Sequence, residues 1–180
     1  INFNLDYKKH FIFNAAITNS VCDLINYSCR IDANIKWPND IMIKNRKVSG
    51  IMSELFKKNS QTFIIIGVGI NLISSPIIND YLTTYIKNYN KNMNREHLIY
   101  KFTEFFFDQY NHIESKNYEK IILSYKSKLF HLGKKVNIEQ ENNKTAKILF
   151  EDLNLDGSIL ANINGVRENI YSGRIKNDIK

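Results

Sequence analysis

The stretch that decides the fold is IKWPNDIMIKNRKVSGIMSE, which runs from Ile35 to Glu54. Its alternation of apolar and polar residues predicts two short strands, Ile41–Ile43 and Val48–Leu55, joined by a polar turn. A hairpin explains this hydrophobic pattern, but it does not explain the Lys-Trp-Pro-Asn-Asp string at positions 36–40. Nor does it explain the Ser-Gly pair at positions 49 and 50, inside the second strand. These two features therefore indicate a role beyond that of a simple hairpin.

Further hydrophobic patterns extend this hairpin into a fold of strands and helices. Residues 1–7 alternate as a half-buried strand does, whereas spacings of three and four residues elsewhere predict helices. The run TFIIIGVGIN, Thr62–Asn71, is rich in β-branched residues and predicts a central strand that is buried on both faces. The predicted helices are His10–Arg30, Arg95–His112 and Tyr118–Lys128.

After the last predicted helix, the pattern becomes alternating, with turn signals at Asp156-Gly157 and Asn164-Gly165. This change predicts a separate unit of short strands. We therefore expect an α/β (α+β) architecture, in which a mixed β-sheet flanked by helices is followed by a small C-terminal β-barrel. The expected domains are residues 1–127 and residues 128–180.

The composition allows a buried core and a basic surface. The chain has 180 residues, of which 43% are hydrophobic, and its formal net charge is +7. Such a charge permits attraction to nucleic acid, to phosphate-bearing ligands or to an acidic protein. The lysines are scattered through a sequence rich in Ile and Asn, however, so we attribute the charge to compositional bias rather than to a binding stripe.

The cysteines and the apolar runs bear on the cellular location. Cys22 and Cys29 are seven residues apart, and on one helix they would be separated by about 10 Å of axial rise, too far for a disulfide. Unpaired thiols without a secretory signal fit a reducing cytoplasm, and no apolar run is long enough for a membrane span. We therefore expect a cytoplasmic protein with no membrane partner. Because the chain opens at Ile1 in a strand-like pattern, we also expect a fragment or a processed product.

Most motifs with well-understood chemistry are absent. The sequence contains no Walker loop, dinucleotide fingerprint, nucleophile elbow or paired-histidine zinc motif. Asp152, Asn154, Asp156 and Gly157 match the first half of a calcium loop, but its twelfth position is Ile163 instead of a bidentate glutamate. A hairpin turn is the better interpretation of this segment.

The unexplained residues suit the handling of an anionic ligand. Lys36 and Lys47 carry ammonium groups that can follow phosphoryl or carboxylate oxygens. Gly50, Gly67 and Gly69 have no side chain to block a close approach.

Acidic and aromatic residues accompany them. Asp40 and Glu54 have carboxylates that could hold a metal ion, orient a lysine or accept a proton from an amine. Trp37 offers a flat surface to a ligand, although a lone tryptophan is more often part of the core. On composition and spacing alone, these residues indicate a phosphate-handling α/β enzyme.

Three motifs resemble, in order and spacing, the core motifs of biotin protein ligases. They are Lys-Trp-Pro-Asn-Asp at 36–40, Lys-Val-Ser-Gly-Ile at 47–51 with Glu54, and Gly-Val-Gly-Ile-Asn at 67–71. The resemblance extends over nearly the whole chain. The family carries a small Src-homology-type barrel at its C-terminus, and the short strands predicted after residue 128 would correspond to this barrel. The resemblance implies a two-step reaction. Biotin's carboxylate attacks the α-phosphate of ATP, giving biotinyl-5′-AMP and diphosphate, and then a lysine of a biotin carboxyl carrier protein displaces AMP.

The same resemblance implies roles for individual residues. Lys47 is expected to bind the biotin carboxylate and the α-phosphate, Asp40 to orient or deprotonate the attacking amine, and Lys36 to assist at the phosphates. The nucleotide triphosphate implies Mg²⁺, with no ligand residue assigned. Arg167 and Arg174 are weaker candidates for contact with nucleotide or carrier. The expected substrate-binding residues are Asn39, Trp37, Ser49, Gly50, Gly67, Gly69 and Asn71.

The sequence also departs from the family pattern in one respect, and several alternative functions stay open. Family members have a glycine- and arginine-rich loop upstream of the position where this sequence starts, so we expect the 180 residues alone to bind biotin poorly and to turn over slowly. The alternatives are a lipoate protein ligase, which the Lys-Trp-Pro-Asn-Asp string disfavours, a nucleic-acid-binding protein, and a non-catalytic remnant. The resemblance also implies a homodimer through the sheet as a candidate assembly, and no nucleic-acid partner is expected for this part of the protein.

Overall fold

A computed structural model describes residues 10–59, 61–140 and 144–176 of the 180-residue chain. The strand predicted over residues 1–7 lies outside the described residues. In the described part of the chain, no helix is both long enough and apolar enough to span a bilayer.

The first helix, α1 (His10–Cys29), is the centre of the N-terminal part of the fold. One side of α1 packs on strands of a β-sheet, and the helices α2 (Arg95–Glu114) and α3 (Tyr118–Lys128) pack against it. This sandwiched position explains why polar residues of α1 are buried as well as apolar ones. The buried Asn19 side chain donates hydrogen bonds to Gln109 Oε1 at 3.1 Å and to the Ile121 carbonyl at 3.0 Å, and so joins all three helices. The three predicted helices are confirmed.

The first sheet contains four strands in the order β1-β2-β3-β4. The turn between β2 and β3 holds Lys44 and Asn45 with φ angles of 48° and 60°, as in a two-residue hairpin turn that matches the twist of the flanking strands. The predicted hairpin is therefore confirmed, with a longer second strand than expected. The strands are β1 (Asn34–Lys36), β2 (Asp40–Ile43), β3 (Arg46–Lys58) and β4 (Gln61–Ile70).

Two expectations about this sheet differ from what the described strands show. The sheet was expected to be mixed, whereas the named strands pair only antiparallel and the parallel contacts are isolated bridges, Ile35 with Leu129 and Lys47 with Thr83. The run Thr62–Asn71 was expected to form a central strand buried on both faces. Instead, β4 pairs only with β3 within the described residues, and Ile65 is 58% exposed. A β-branched run shows that a segment is extended, but it does not show how many strands flank it.

The C-terminal strands form a second antiparallel sheet in the order β8-β7-β6-β5-β9. The first and last strands of this order do not pair within the described residues, so the sheet is open and is not the closed barrel that was expected. The segment that resembles a calcium loop is a hairpin turn, because the Asn154 N–H donates to the Ser158 carbonyl at 2.9 Å. The strands are β5 (Lys135–Glu139), β6 (Thr145–Leu153), β7 (Ile159–Ile163), β8 (Val166–Ile170) and β9 (Arg174–Ile175).

Direct hydrogen bonds join the two sheets. The Phe130 N–H donates to the Ile35 carbonyl at 2.9 Å, and Trp37 Nε1 donates to the Gly157 carbonyl at 2.9 Å. Buried apolar side chains from both parts belong to one continuous core. The division at residues 127 and 128 stays a prediction.

The two cysteines are free and buried, as the helix spacing predicts. Burial raises the pKa of the Cys22 thiol to about 12 and that of Cys29 to about 11. At neutral pH both side chains are therefore uncharged thiols.

Candidate active site

A cavity of about 1150 Å³ lies where the first sheet meets the segment 76–83 and the residues before β9. Its wall contains all ten residues that the sequence predicts for the site, although their three motifs are separate in the chain. These residues are Lys36, Trp37, Asn39, Asp40, Lys47, Ser49, Gly50, Gly67, Gly69 and Asn71.

An ion pair between Lys47 and Asp40 lies in this wall. Lys47 Nζ is 2.5 Å from Asp40 Oδ1, and each side chain is about one quarter exposed, at 26% and 25%. The pairing of β2 with β3 shifts register between Ile41 and Met42, so that Met42 lies opposite Lys47. This bulge places Lys47 on the face of the hairpin that carries Asp40. A lysine paired with a carboxylate can turn toward an incoming anion and neutralise it, and the carboxylate is then free to accept a proton.

The main chain of Lys47 is held from both sides. One edge pairs with β2, and on the other edge the Lys47 N–H donates to the Leu82 carbonyl at 2.9 Å. The Lys47 carbonyl accepts from the Thr84 N–H at 2.9 Å. Asn71 Nδ2 donates to the Thr84 carbonyl at 3.0 Å, and so secures the same segment. Asn71 therefore supports the position of Lys47 in addition to lining the cavity.

Two glycines control the space around the ion pair. A Cβ atom at position 50 would lie 3.1 Å from Lys47 Nζ and 3.3 Å from Asp40 Oδ1, so a side chain there would displace the pair. A Cβ atom at position 67 would meet nothing within 4 Å, so that part of the cavity is open to a ligand. The adjacent Ser49 hydroxyl donates to the Gly69 carbonyl at 2.7 Å and joins β3 to β4.

Lys36 is a buried cation beside this pair. Only 6% of the residue is exposed, and no described carboxylate lies within salt-bridge distance of it. Burial lowers its pKa to about 8, the negative charge of Asp40 opposes this change, and the positive charges of Arg174 and Lys47 add to it. Lys36 is therefore still protonated at neutral pH, but it binds its proton weakly.

The side chains of two motif residues, Trp37 and Asn39, donate hydrogen bonds to main-chain carbonyls of the protein. Trp37 is 3% exposed and its Nε1 atom is bonded to Gly157, so the tryptophan is chiefly a core residue. The Asn39 side chain donates to the Ile51 carbonyl and its own carbonyl accepts from the Ile51 N–H at 3.0 Å. These hydrogen bonds fix the positions of both residues within the cavity wall.

The structure does not bring two further candidates to the cavity. Glu54 is exposed on β3 and does not line it, since it lies farther along the strand than the motif residues. Arg167 pairs with Glu151 at 2.7 Å on the second sheet, with the arginine side chain 70% exposed. Neither residue lines this cavity, and contact of Arg167 with the carrier stays a prediction.

Part of the cavity wall was not predicted from the sequence. Arg174 Nη1 is 3.2 Å from Asp80 Oδ2, and the Arg174 guanidinium lies 5.2 Å from the centroid of the Tyr81 ring. Lys47 Nζ lies 5.4 Å from the same ring centroid. Asp80 and Tyr81 belong to a loop with no periodic pattern, and only the polar-aromatic pair itself could have indicated them. Arg174, a weaker candidate, does line the cavity.

Comparison with known proteins gives a consistent result. Residues 10–71 match the model of the biotin/lipoate A/B protein ligase family. The biotin–[acetyl-CoA-carboxylase] ligase of Mycobacterium tuberculosis is 34% identical over 61 residues, which cover 34% of this chain and 21% of that protein. The bifunctional ligase/repressor BirA of Bacillus subtilis is 40% identical over 58 residues, which cover 32% of this chain and 17% of that protein. The aligned stretches thus span about a fifth of these relatives.

A solved structure agrees over a longer part of the chain. The biotin protein ligase from Aquifex aeolicus in complex with biotin and ATP superposes with a TM-score of 0.77 at 21% identity, covering 94% of this chain and 72% of that one. The α+β fold is therefore that of this ligase, including the C-terminal β unit. The three motifs at positions 36–71 lie within the region 10–71, which is similar to the biotin/lipoate A/B protein ligase family.

Proposed function

We propose that the protein is an ATP-dependent biotin protein ligase of the cytoplasm. It forms biotinyl-5′-AMP and transfers biotin to a lysine of a biotin carboxyl carrier protein. The observation that supports this proposal is the convergence of three separate motifs on one cavity, with the Lys47–Asp40 pair in its wall. The Aquifex aeolicus ligase of the same fold binds biotin and ATP in its solved complex.

The first step joins two anions, the carboxylate of biotin and the α-phosphate of ATP. Their mutual repulsion must be reduced before the carboxylate oxygen can attack phosphorus and diphosphate can leave. The Lys47 ammonium supplies a positive charge at the cavity wall, and its long flexible side chain allows it to follow the oxygens as charge develops. Lys36 adds a second positive charge behind it, in surroundings where burial strengthens electrostatic attraction.

The second step needs a proton acceptor for the attacking amine. When Lys47 turns toward the substrate anions, the Asp40 carboxylate loses a direct partner and can accept the proton of the carrier's lysine. The amine nitrogen then attacks the acyl carbon of biotinyl-5′-AMP, and AMP leaves with the bonding electrons. Asp40 is therefore the proposed base or orienting group of this step.

The remaining residues of the wall have supporting roles. Gly50 and Ser49 lie beside the ion pair and are proposed to line the biotin pocket. Gly67 and Gly69 leave room for the nucleotide, and Asn71 is proposed to contact its adenine or ribose while it supports the segment beside Lys47.

Magnesium fits this cavity as a companion of the nucleotide. Mg²⁺ is usually held by one or two carboxylates together with substrate phosphates. Asp40 and Asp80 are the two acidic residues in the described wall, and among the described residues no group of three or more metal-ligating side chains is close enough to hold an ion. When bound, the metal would neutralise phosphate charge.

The decisive experiment compares the purified protein with its Lys47→Ala variant. We expect this substitution to weaken binding of a non-hydrolysable biotinyl-AMP analogue about 10- to 100-fold, because it removes a charged hydrogen-bond donor. Isothermal titration calorimetry measures this binding without turnover, and biotin-dependent release of diphosphate measures the first step. Lys57→Ala, at an exposed position on β3, is the matched control. Unchanged affinity and unchanged release in Lys47→Ala would remove Lys47 from its proposed role.

The same titration separates the competing functions. The matched family contains lipoate as well as biotin ligases, so a lipoyl-AMP analogue is titrated in parallel. Tighter binding of the lipoyl compound would favour lipoate ligation, and no binding of either compound would favour a non-catalytic remnant. The homodimer through the sheet stays a prediction.

A further inference from the structure

A second cavity, of about 700 Å³, lies between the β2–β3 turn and the strands β5 and β6. Its wall is strongly basic, because six lysine or arginine side chains line it and none of its described lining residues is acidic. The six are Lys36, Lys44, Arg46, Lys135, Lys147 and Lys176. We call this space the basic cavity.

Only the fold brings these charges together. Three of them belong to residues 36–46 and three to residues 135–176, so no stripe is visible in the sequence. Lys176 pairs with Glu139 at 2.8 Å, whereas the other five have no salt-bridge partner among the described residues. Like charges gathered in a concave wall reinforce one another and attract anions.

Two buried polar groups reach this wall as well. Lys36 is 6% exposed and lines both cavities, and His131 is 8% exposed. The Nδ1 atom of His131 is buried and has no hydrogen-bond partner in the described part of the chain. Burial and the neighbouring Lys36 and Lys134 charges lower the pKa of His131 to about 4, so its ring is neutral at pH 7. A buried ammonium without an anion is unfavourable, and an anion in the cavity would offset this.

We propose that the basic cavity binds a small inorganic oligophosphate, a diphosphate or a triphosphate, at a site that shares a single described lining residue, Lys36, with the Lys47 cavity. Several lysines around one space match an anion with several phosphoryl groups, since each ammonium can follow a different oxygen. The volume lies in the range of small-molecule sites, and Phe130 and Val136 give part of the wall an apolar surface. This proposal does not depend on the proposed ligase function.

Calorimetric titration of the purified protein with inorganic tripolyphosphate tests the proposal. We expect saturable 1:1 binding, and binding of orthophosphate at least about tenfold weaker, because it has a single phosphoryl group. The double variant Lys135→Gln/Lys147→Gln is expected to lose about tenfold or more in affinity for tripolyphosphate. Both side chains are exposed on the second sheet, so the variant is expected to keep its fold, which circular dichroism verifies.

Two controls separate specific binding in the basic cavity from attraction by net charge and from binding in the Lys47 cavity. Lys57→Gln/Lys58→Gln removes the same charge from exposed positions on β3 and is expected to leave the affinity unchanged. Lys47→Ala, in the other cavity, is expected to retain binding as well. Equal weakening in both double variants would mean attraction by net charge alone and would overturn the proposal. Absence of saturable binding would do the same, as would loss of binding in Lys47→Ala with retention in Lys135→Gln/Lys147→Gln.

Discussion

Replacement of Lys36 by methionine is expected to stabilise the protein at neutral pH. In the folded protein the pKa of Lys36 falls from 10.5 to about 8, mainly through burial. A decrease of this size corresponds to about 3 kcal/mol, by which the folded state disfavours the charged form relative to the unfolded state. Because only 6% of Lys36 is exposed, solvent screens this effect little. Methionine keeps a similar unbranched side chain without the charge, so Lys36→Met is expected to raise the free energy of unfolding by up to about 3 kcal/mol at pH 7.

The stabilisation is expected to depend on pH in a defined direction. Between about pH 8 and pH 10.5 the unfolded chain retains the Lys36 proton that the folded chain has lost, so this group makes the wild type more stable as the pH rises. The advantage of Lys36→Met should therefore decrease to about 2 kcal/mol near pH 9 and to below about 1 kcal/mol near pH 10.

Urea denaturation followed by circular dichroism, from pH 7 to pH 10, measures this difference. Lys57→Met, at an exposed position, is the matched control and is expected to change the free energy of unfolding by less than about 0.5 kcal/mol. If Lys36→Met proved less stable than the wild type at pH 7, or if its advantage were the same at every pH, Lys36 would not be a charged group whose burial is unfavourable.

Two further substitutions test the construction of the site. Gly50→Ala is expected to lower kcat/KM for diphosphate release about 10- to 100-fold, because the new methyl group displaces Lys47. The free energy of unfolding is expected to change by less than about 1 kcal/mol. A variant with normal kinetics would contradict this explanation. Trp37→Phe removes the buried hydrogen bond to Gly157 and is expected to lower the free energy of unfolding by about 2 kcal/mol in urea titrations, and a neutral effect would show that this contact contributes little.

The helices and the hairpin could be predicted from the sequence because their signals are local. The three helices follow from apolar spacings, and the β2–β3 turn from a short polar segment between two alternating runs. Within the described residues, the pairing of β4 with β3 alone and the lack of pairing between β8 and β9 could not be predicted in this way. Both depend on which strands pair with which, and pairing is a property of distant segments rather than of a run of side chains.

The difference between local signals and contacts of distant segments also applies to the candidate site. The ten predicted residues come from three motifs whose strands adjoin, so their convergence follows from one small sheet. Asp80 and Tyr81 come from a loop, and the basic cavity combines residues from the two sheets. The scattered lysines indicate compositional bias in the sequence, because the linear order of residues does not show which side chains lie close together in the fold.

The paired edges of Lys47 restrict how its ammonium can move. Its main chain lies beside β2 on one side and is hydrogen-bonded to the Leu82 carbonyl and the Thr84 N–H on the other, so the peptide backbone has little freedom to shift. Any adjustment to a substrate must therefore come from rotation about the side-chain torsions of Lys47 alone. Displacements at the far end of β3, near Lys57 and Lys58, would then leave the reacting end of the strand undisturbed.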